Sequence, residues 1–176
     1  LLNDATRIHC ISLYSNETDE IESFNDEKYA DNPKDLPMAG HYSITTALGF
    51  LECADTIIGH NIINFDLPVI KKLYHWFDPR GTIIDTLLLS RLYHTKILDI
   101  DKRHAWPHMP IQLYGRHSLE AYGYRLGEYK GNFSKTTDWR EWSKEMQEYC
   151  EQDVVVTKKL WEHFLPYLSG SKWSIR

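Results

Sequence analysis

From Ile8 to Tyr14 (IHCISLY) apolar and polar residues alternate with the period of two that sets one face of a strand against a core. Glu20 to Phe24 (EIESF) predicts a second strand, and Ser15-Asn16 begins the turn between them. Asn25 to Gly40 is polar and contains Pro33 and Pro37, which predicts loop. Within Ser43 to Ala54, Ile44, Ala47, Leu48 and Leu51 recur at helical spacing. Thr56 to Gly59 follows as a short buried strand and Asn61 to Asp66 as a turn, and Pro68 suits the first turn of a helix running to about Phe77. Gly81 to Asp85 is another strand, leading into a helix through Leu92. His94 to Arg116 shows no strong period, holds Pro107 and Pro110, and predicts a long loop. Ser118 caps a helix over Leu119 to Leu126, which Gly127 stops. The last element is a long helix from about Glu141 to Leu165, with Met146, Tyr149, Asp153, Val156, Leu160, Trp161 and Phe164 near one face.

A hairpin followed by strands that alternate with helices predicts an α/β fold, a mixed sheet flanked by helices. At 176 residues the chain suits one domain, burying roughly 70% of its unfolded-state surface. With 42% apolar residues the core needs no disulfides. The cysteines, Cys10, Cys53 and Cys150, are odd in number and widely spaced, without zinc-ligand spacing, which reads as free thiols in an intracellular protein. No apolar run reaches the roughly 18 residues of a membrane span. The opening Leu1 to Arg7 (LLNDATR) is neither a signal peptide nor an initiation site, and reads as the interior of a longer protein. A net charge of −5 argues against a basic, non-specific nucleic-acid coat. It leaves nucleic acid open, because a carboxylate metal site makes a domain acidic by itself.

Two constellations carry chemistry. Tyr149 and Asp153 stand at i and i+4 and are neighbours on a helix. A carboxylate is a hard oxygen ligand for Mg²⁺ or Mn²⁺, and a phenol one turn away can hold a water against that metal. The spacing is short and recurs in many helices, but Asp153 enters an otherwise apolar run, Val154-Val155-Val156, where an acid wants a partner. The second, His60 to Asp66 (HNIINFD), joins a buried strand to a helix, where α/β proteins place ligands. Asp66 there equally suits a helix cap, and Asn61 a left-handed turn position. Asp85 likewise reads as a cap at least as well as a catalytic part. Of the nine histidines, His117 beside a helix start reads as structural. Tyr122, Tyr124, Tyr129, Trp139 and Trp142 suit packing better than a strand-binding channel. Arg116, Arg125 and Lys130 suit phosphate contacts and solvated charges equally. The long 94–116 loop is a candidate contact for DNA or for a neighbouring domain.

Taken together, N-x-x-x-(F/Y)-D followed by Y-x-x-x-D on a long helix resembles the DEDDy exonucleases, the proofreading domains of DNA polymerases and their relatives. Ile84 to Leu92 (IDTLLLSRL), Gly115 to Glu128 (GRHSLEAYGYRLGE) and Gln152 to Lys158 (QDVVVTK) are similar to the exonuclease domain of T-seven-type bacteriophage family A DNA polymerases. The likeness runs from about His9 to Phe164.

The resemblance implies a ribonuclease-H-like fold, a mixed sheet of about five strands flanked by helices, forming a single 3′→5′ exonuclease domain over residues 1–176 with the polymerase domain absent. It implies removal of nucleotides from DNA 3′ ends by water, with two Mg²⁺ or Mn²⁺ ions roughly 4 Å apart. Asp153 matches the ligand to the first metal, Tyr149 the tyrosine that orients the attacking water, and Asp66 the acid reaching the second metal. Asn61 matches a residue near the bound 3′ end, Phe65 the aromatic before Asp66, and Leu1 or Leu2 the leucine against the terminal base. The implied partners are a single-stranded DNA 3′ end, the nucleotide monophosphate product and the polymerase domain of a parent chain, without a membrane. The implied place is the cytoplasm of a phage-infected or prophage-bearing bacterium. The family's remaining two acids form a D-x-E on the first strand, and no Asp in this chain has Glu two positions on. The resemblance places that strand just upstream of Leu1, so the domain reads as truncated there and its activity as weak or nil. Two other readings stand beside this one: a non-catalytic exonuclease-like scaffold or DNA-binding domain, and a free-standing RNA exonuclease.

Overall fold

The computed structural model describes residues 4–26, 43–128 and 140–170. Strand β1 (Ile11–Ser15) pairs antiparallel with β2 (Glu20–Phe24), Ile11 opposite Phe24 and Ser15 opposite Glu20. Asp19 takes a left-handed φ of 57° to close their turn. The alternation beginning at Ile8 runs three residues ahead of the ladder. Ile8 is packed against the core of α1 and α2, so its place in the pattern reflects burial, not strand pairing.

Helix α1 (Ile44–Cys53) is capped by the Ser43 hydroxyl, which accepts from the Thr46 N–H at 3.2 Å. Strand β3 (Thr56–Gly59) pairs in parallel with β4 (Thr82–Asp85), in a register that sets Gly59 beside Asp85. Between them, α2 (Asp66–Leu73) begins two residues before Pro68, which then falls in its first turn, where its missing N–H costs nothing. It stops four residues short of Phe77. Phe77 is buried all the same, at 1% exposure, and so extended the apolar pattern past the helix end. Asp85 caps α3 (Thr86–Tyr93).

The 94–116 segment corrects the expectation of a loop. It holds α4 (Ile97–His104) and a 3₁₀ turn at Ile111–Leu113. The helix was illegible because its buried face consists of Ile97 and one charged residue, Asp101. Helix α5 (Leu119–Arg125) and the long α6 (Lys144–Leu168) follow, capped by Ser118 and Ser143.

Among the described residues the strands form two separate pairs, β1-β2 and β3-β4, not one sheet of about five. Helix α6 packs against β1, β2 and β3 and so bridges the pairs. The fold is mixed α/β, with apolar cores on either side: Ile97, Tyr122, Val156, Leu160 and Phe164 in one, Ile44, Leu48, Ile70 and Phe77 in the other. Each such aliphatic or Phe side chain stabilises the fold by about 1.5–3 kcal/mol relative to exposure. Tyr122 sits in the first core, as its packing reading expected. Tyr129, Trp139 and Lys130 lie outside the described residues. No helix among the described residues is long and apolar enough to cross a membrane.

Asp101 is fully buried, and all of its acceptor capacity is used. Its Oδ1 accepts from Trp106 Nε1 and Arg125 Nε, each at 2.9 Å, and its Oδ2 from Arg125 Nη2 at 2.7 Å and the Gly115 N–H at 2.8 Å. Arg125 is therefore neither a phosphate contact nor a solvated charge. It is a buried partner that ties α5 to α4. Gly115 can present its N–H here because it holds φ 75°, and a Cβ would crowd Leu98 at 3.2 Å. Burial raises the Asp101 carboxyl, but the Arg125 guanidinium and the Gly115 and Trp106 N–H groups outweigh it and hold it below its usual value. Deleting one partner of a buried pair leaves the other charge uncompensated. Asp101→Asn should thus lower unfolding stability by about 3–5 kcal/mol in urea titrations at pH 7. Because the folded carboxyl is depressed, the pair's contribution is full above the unfolded Asp value of about 3.9. It fades as pH falls through the lower folded value, and the difference between the two proteins should close there.

Candidate functional site

Both parallel strands end on the same side, and the two turns leaving them are bonded to each other. Gly59 ends β3, where a Cβ would strike Ile62 at 2.7 Å, so only glycine lets the next turn fold back this tightly. Thr86, fully buried, donates its hydroxyl to the Gly59 carbonyl at 3.2 Å and meets His60 Nδ1 at 2.9 Å. His60 therefore carries its proton on Nδ1. Asp85, 4% exposed, accepts at Oδ1 from the N–H of Asn61 and of Leu87, both at 2.9 Å, and at Oδ2 from the N–H of Ile63 at 3.2 Å. Its capping reading holds, and two further bonds reach across to the β3–α2 turn. Asn61 occupies the left-handed region, φ 62°, as its turn reading expected. Its carbonyl accepts from the N–H of Asn64 and Phe65.

This turn delivers Asp66 as the first residue of α2. The N-cap is Phe65, which makes no side-chain cap bond. Asp66 is thus not a cap. It lies at the solvent-exposed start of the helix, beside the exposed rings and branches of Phe65 and Ile63. Crowding by the surrounding protein pushes its carboxyl up to about 6, the nearby Asp85 charge adds to the rise, and a bond from its own backbone N–H opposes it.

Tyr149 and Asp153 lie one turn apart on α6, both half-buried, with the Asp153 Oδ1 withdrawn from solvent. The helix is set against the hairpin by polar contacts that the sequence did not reveal. Gln147 Nε2 donates to Ser12 Oγ at 3.2 Å, Ser12 and Ser23 hydroxyls meet at 3.1 Å, and Ser23 Oγ donates to Glu151 Oε1 at 2.6 Å. The same register brings together two cysteines that stand far apart in sequence. The Cys10 and Cys150 thiols interact, which pushes Cys10 up and Cys150 down. The Asp66 charge acts on Cys150 in the opposite sense. A strand-period and helix-period reading could align Cys10 with Ser12 and Gln147 with Cys150, but not show that these two faces meet.

Asn61, Phe65 and Asp66 therefore share one turn, and Tyr149 and Asp153 one helix face. Leu1 and Leu2 lie outside the described residues. His117 hydrogen-bonds the buried Ser90 hydroxyl at 2.5 Å, which also meets Tyr122 Oη at 2.5 Å, so its structural reading holds. Among the described residues no group of three or more His, Cys, Asp or Glu side chains is gathered as a metal site.

The chain is similar to the DNA-directed DNA polymerase of Escherichia phage T7, 34% identical over 193 residues that cover 94% of this chain and 25% of that protein. It is similar to the DNA-directed DNA polymerase of Enterobacteria phage T3 at 32% identity over 189 residues, with the same coverage of each. No protein-family model matches. The chain spans about a quarter of the length of the curated relatives it matches. The similarity is consistent with the phage DNA polymerase family and supports a polymerase-related module.

The raised Asp66 carboxyl has a measurable consequence. A group whose folded pKa lies above its unfolded value of about 3.9 costs stability once pH climbs between the two, and the cost is full above the folded value. Asp66→Asn should therefore raise the thermal midpoint at pH 7.5. The gain should be small, since solvent reaches the carboxylate, and should vanish by about pH 4.

Proposed function

We propose that this chain is the 3′→5′ exonuclease module of a phage-type DNA polymerase, removing nucleotides from a single-stranded DNA 3′ end as monophosphates. The observation that carries this reading is the place of Asp66. It stands at an exposed helix start, takes no part in capping, and ends the turn that leaves β3, the strand against which α6, the helix of Tyr149 and Asp153, is packed. The similarity to two phage DNA polymerases over 94% of the chain supports it. The surroundings suit a strand. Exposed Ile63 and Phe65 offer apolar faces for bases, and an open depression beside them is lined by Leu67, Pro68, Lys71 and Lys72. Lys72 donates to the Ala5 carbonyl at 2.8 Å and Lys71 lies 3.8 Å from the Asp78 carboxylate in an exposed ion pair, so a phosphate would take the place of one of these partners.

In this reading Asp66 and Asp153 would hold Mg²⁺ or Mn²⁺, hard cations that suit hard carboxylate oxygens. Such ions activate the attacking water and stabilise the attacking and leaving oxygens of the phosphate. Tyr149 Oη orients that water, Asn61 and Phe65 place the 3′-terminal nucleotide, and Leu1 or Leu2 packs on its base. Two carboxylates fall short of the converging charge that Mg²⁺ needs to shed its water, and the chain has no D-x-E to add. We place the module in the cytoplasm of an infected or prophage-bearing bacterium, joined to a polymerase domain.

The test uses 5′-labelled single-stranded DNA with Mn²⁺. The 176-residue chain should degrade it slowly or not at all. The same chain extended upstream of Leu1 by a strand bearing D-x-E should shorten it from the 3′ end. EDTA and Asp153→Ala should abolish that activity, and Tyr149→Phe should cut it by roughly 10²-fold or more. An extended chain that binds single strands without cutting them would replace this reading with that of a non-catalytic DNA-binding domain.

A further inference from the structure

We infer that Asp85 is a positioning residue for the site, setting the turn that carries Asn61 and Asp66, and that its capping of α3 is the lesser part of its work. The inference rests on the exonuclease reading for its functional consequence, but its structural core stands apart from it. A cap needs one bond, and Asp85 makes that bond to Leu87. Two further bonds reach the N–H groups of Asn61 and Ile63, 24 and 22 residues away in sequence. These are the amides that need an outside partner. Asn61 holds a left-handed φ of 62°, a turn conformation that Asn tolerates and that turns its N–H toward Asp85. The helix that follows makes no side-chain cap bond of its own, so no side chain of α2 fixes where the helix begins. The Asn61 carbonyl in turn accepts from Asn64 and Phe65, and the Ile62 carbonyl from Leu67, which fixes the residues on either side of Asp66. Asp85 is 4% exposed, and an ionised acceptor makes hydrogen bonds about twice as strong as a neutral one. One buried carboxylate thereby sets the starts of two helices, α2 and α3, in fixed relation.

Serine separates the two roles. Asp85→Ser keeps a good N-cap for α3, but its shorter side chain cannot span to Asn61 and Ile63. In the 176-residue chain, amide hydrogen exchange should then accelerate at Asn61 and Ile63 by roughly ten-fold or more, the loss expected for bonds to a charged acceptor, while amides of α3 keep their protection. Asp85→Asn, which retains the Oδ1 acceptor, should restore the Asn61 amide and not that of Ile63. It also serves if the serine variant fails to fold. In the chain extended by the D-x-E strand, the serine variant should lose roughly ten-fold or more in kcat with little change in KM for the DNA, as a misplaced catalytic group does. Unchanged exchange at Asn61 and Ile63 in both variants, or loss of α3 protection in step with theirs, would overturn the inference. Altered exchange in a chain whose extended form never cuts DNA would uphold the positioning role and remove only the exonuclease reading.

Discussion

Burial of the apolar face of α6 is the interaction on which the rest of the molecule depends. Val156, Leu160 and Phe164 are fully buried and form the core with α4 and α5, while the N-terminal half of the same helix lies across β1, β2 and β3. Its two halves use different chemistry. The C-terminal half is held by desolvated carbon and by ring contacts such as Phe164 with Tyr93 and His94, at centroid distances of 6.1 and 5.2 Å. In the N-terminal half Gln147 donates to Ser12 and Glu151 accepts from Ser23 of the hairpin. Apolar burial has no strong directional preference, whereas the hydrogen bonds at Gln147 and Glu151, with those of Lys158 to Asp19 and His163 to His94 further along, favour one rotation of the helix and so one direction for Tyr149 and Asp153.

Two buried aspartates repeat one solution at two places. Asp101 gathers a guanidinium, an indole and a backbone N–H, and fastens α4 to α5 and to the turn at Gly115. Asp85 gathers three backbone N–H groups and fastens two turns. A carboxylate accepts several bonds from different directions, so a single one can define a junction that apolar packing would leave loosely specified. The difference lies in charge. Asp101 is neutralised by Arg125, whereas Asp85 is balanced by amide dipoles and its field reaches Asp66.

The elements whose periodicity matches their burial were legible from residue order. Strands β2 and β3 were read with their observed bounds, and α1, α3, α5 and α6 within a few residues. The misreadings share a cause. Ile8 and Phe77 are apolar because the core covers them, not because they belong to the neighbouring strand or helix. Helix α4 was missed because its inward face is half ionic, and no period of apolar residues announces an Asp that will meet an Arg 24 positions later. The site was legible as residues and not as an arrangement. Spacing placed Tyr149 beside Asp153 and put Asn61 and Asp66 on one turn. It could not choose between cap and ligand for Asp66, which the Phe65 N-cap decides against capping. Nor could it foresee that Cys10 meets Cys150, because that contact depends on which faces of β1 and α6 come together.

The bond between Gln147 and Ser12 closes a loop of 135 residues. During synthesis the hairpin leaves the ribosome long before its helix exists. At roughly 5–20 residues per second the wait is on the order of ten seconds, against the microseconds a hairpin takes to form. Through that interval Ser12 and Ser23 have each other and water as partners, but not Gln147 or Glu151. The turns that Asp85 joins lie wholly within residues made early, so they can close at once, and the docking of α6 onto the hairpin is the late event that brings Tyr149 and Asp153 into the fold.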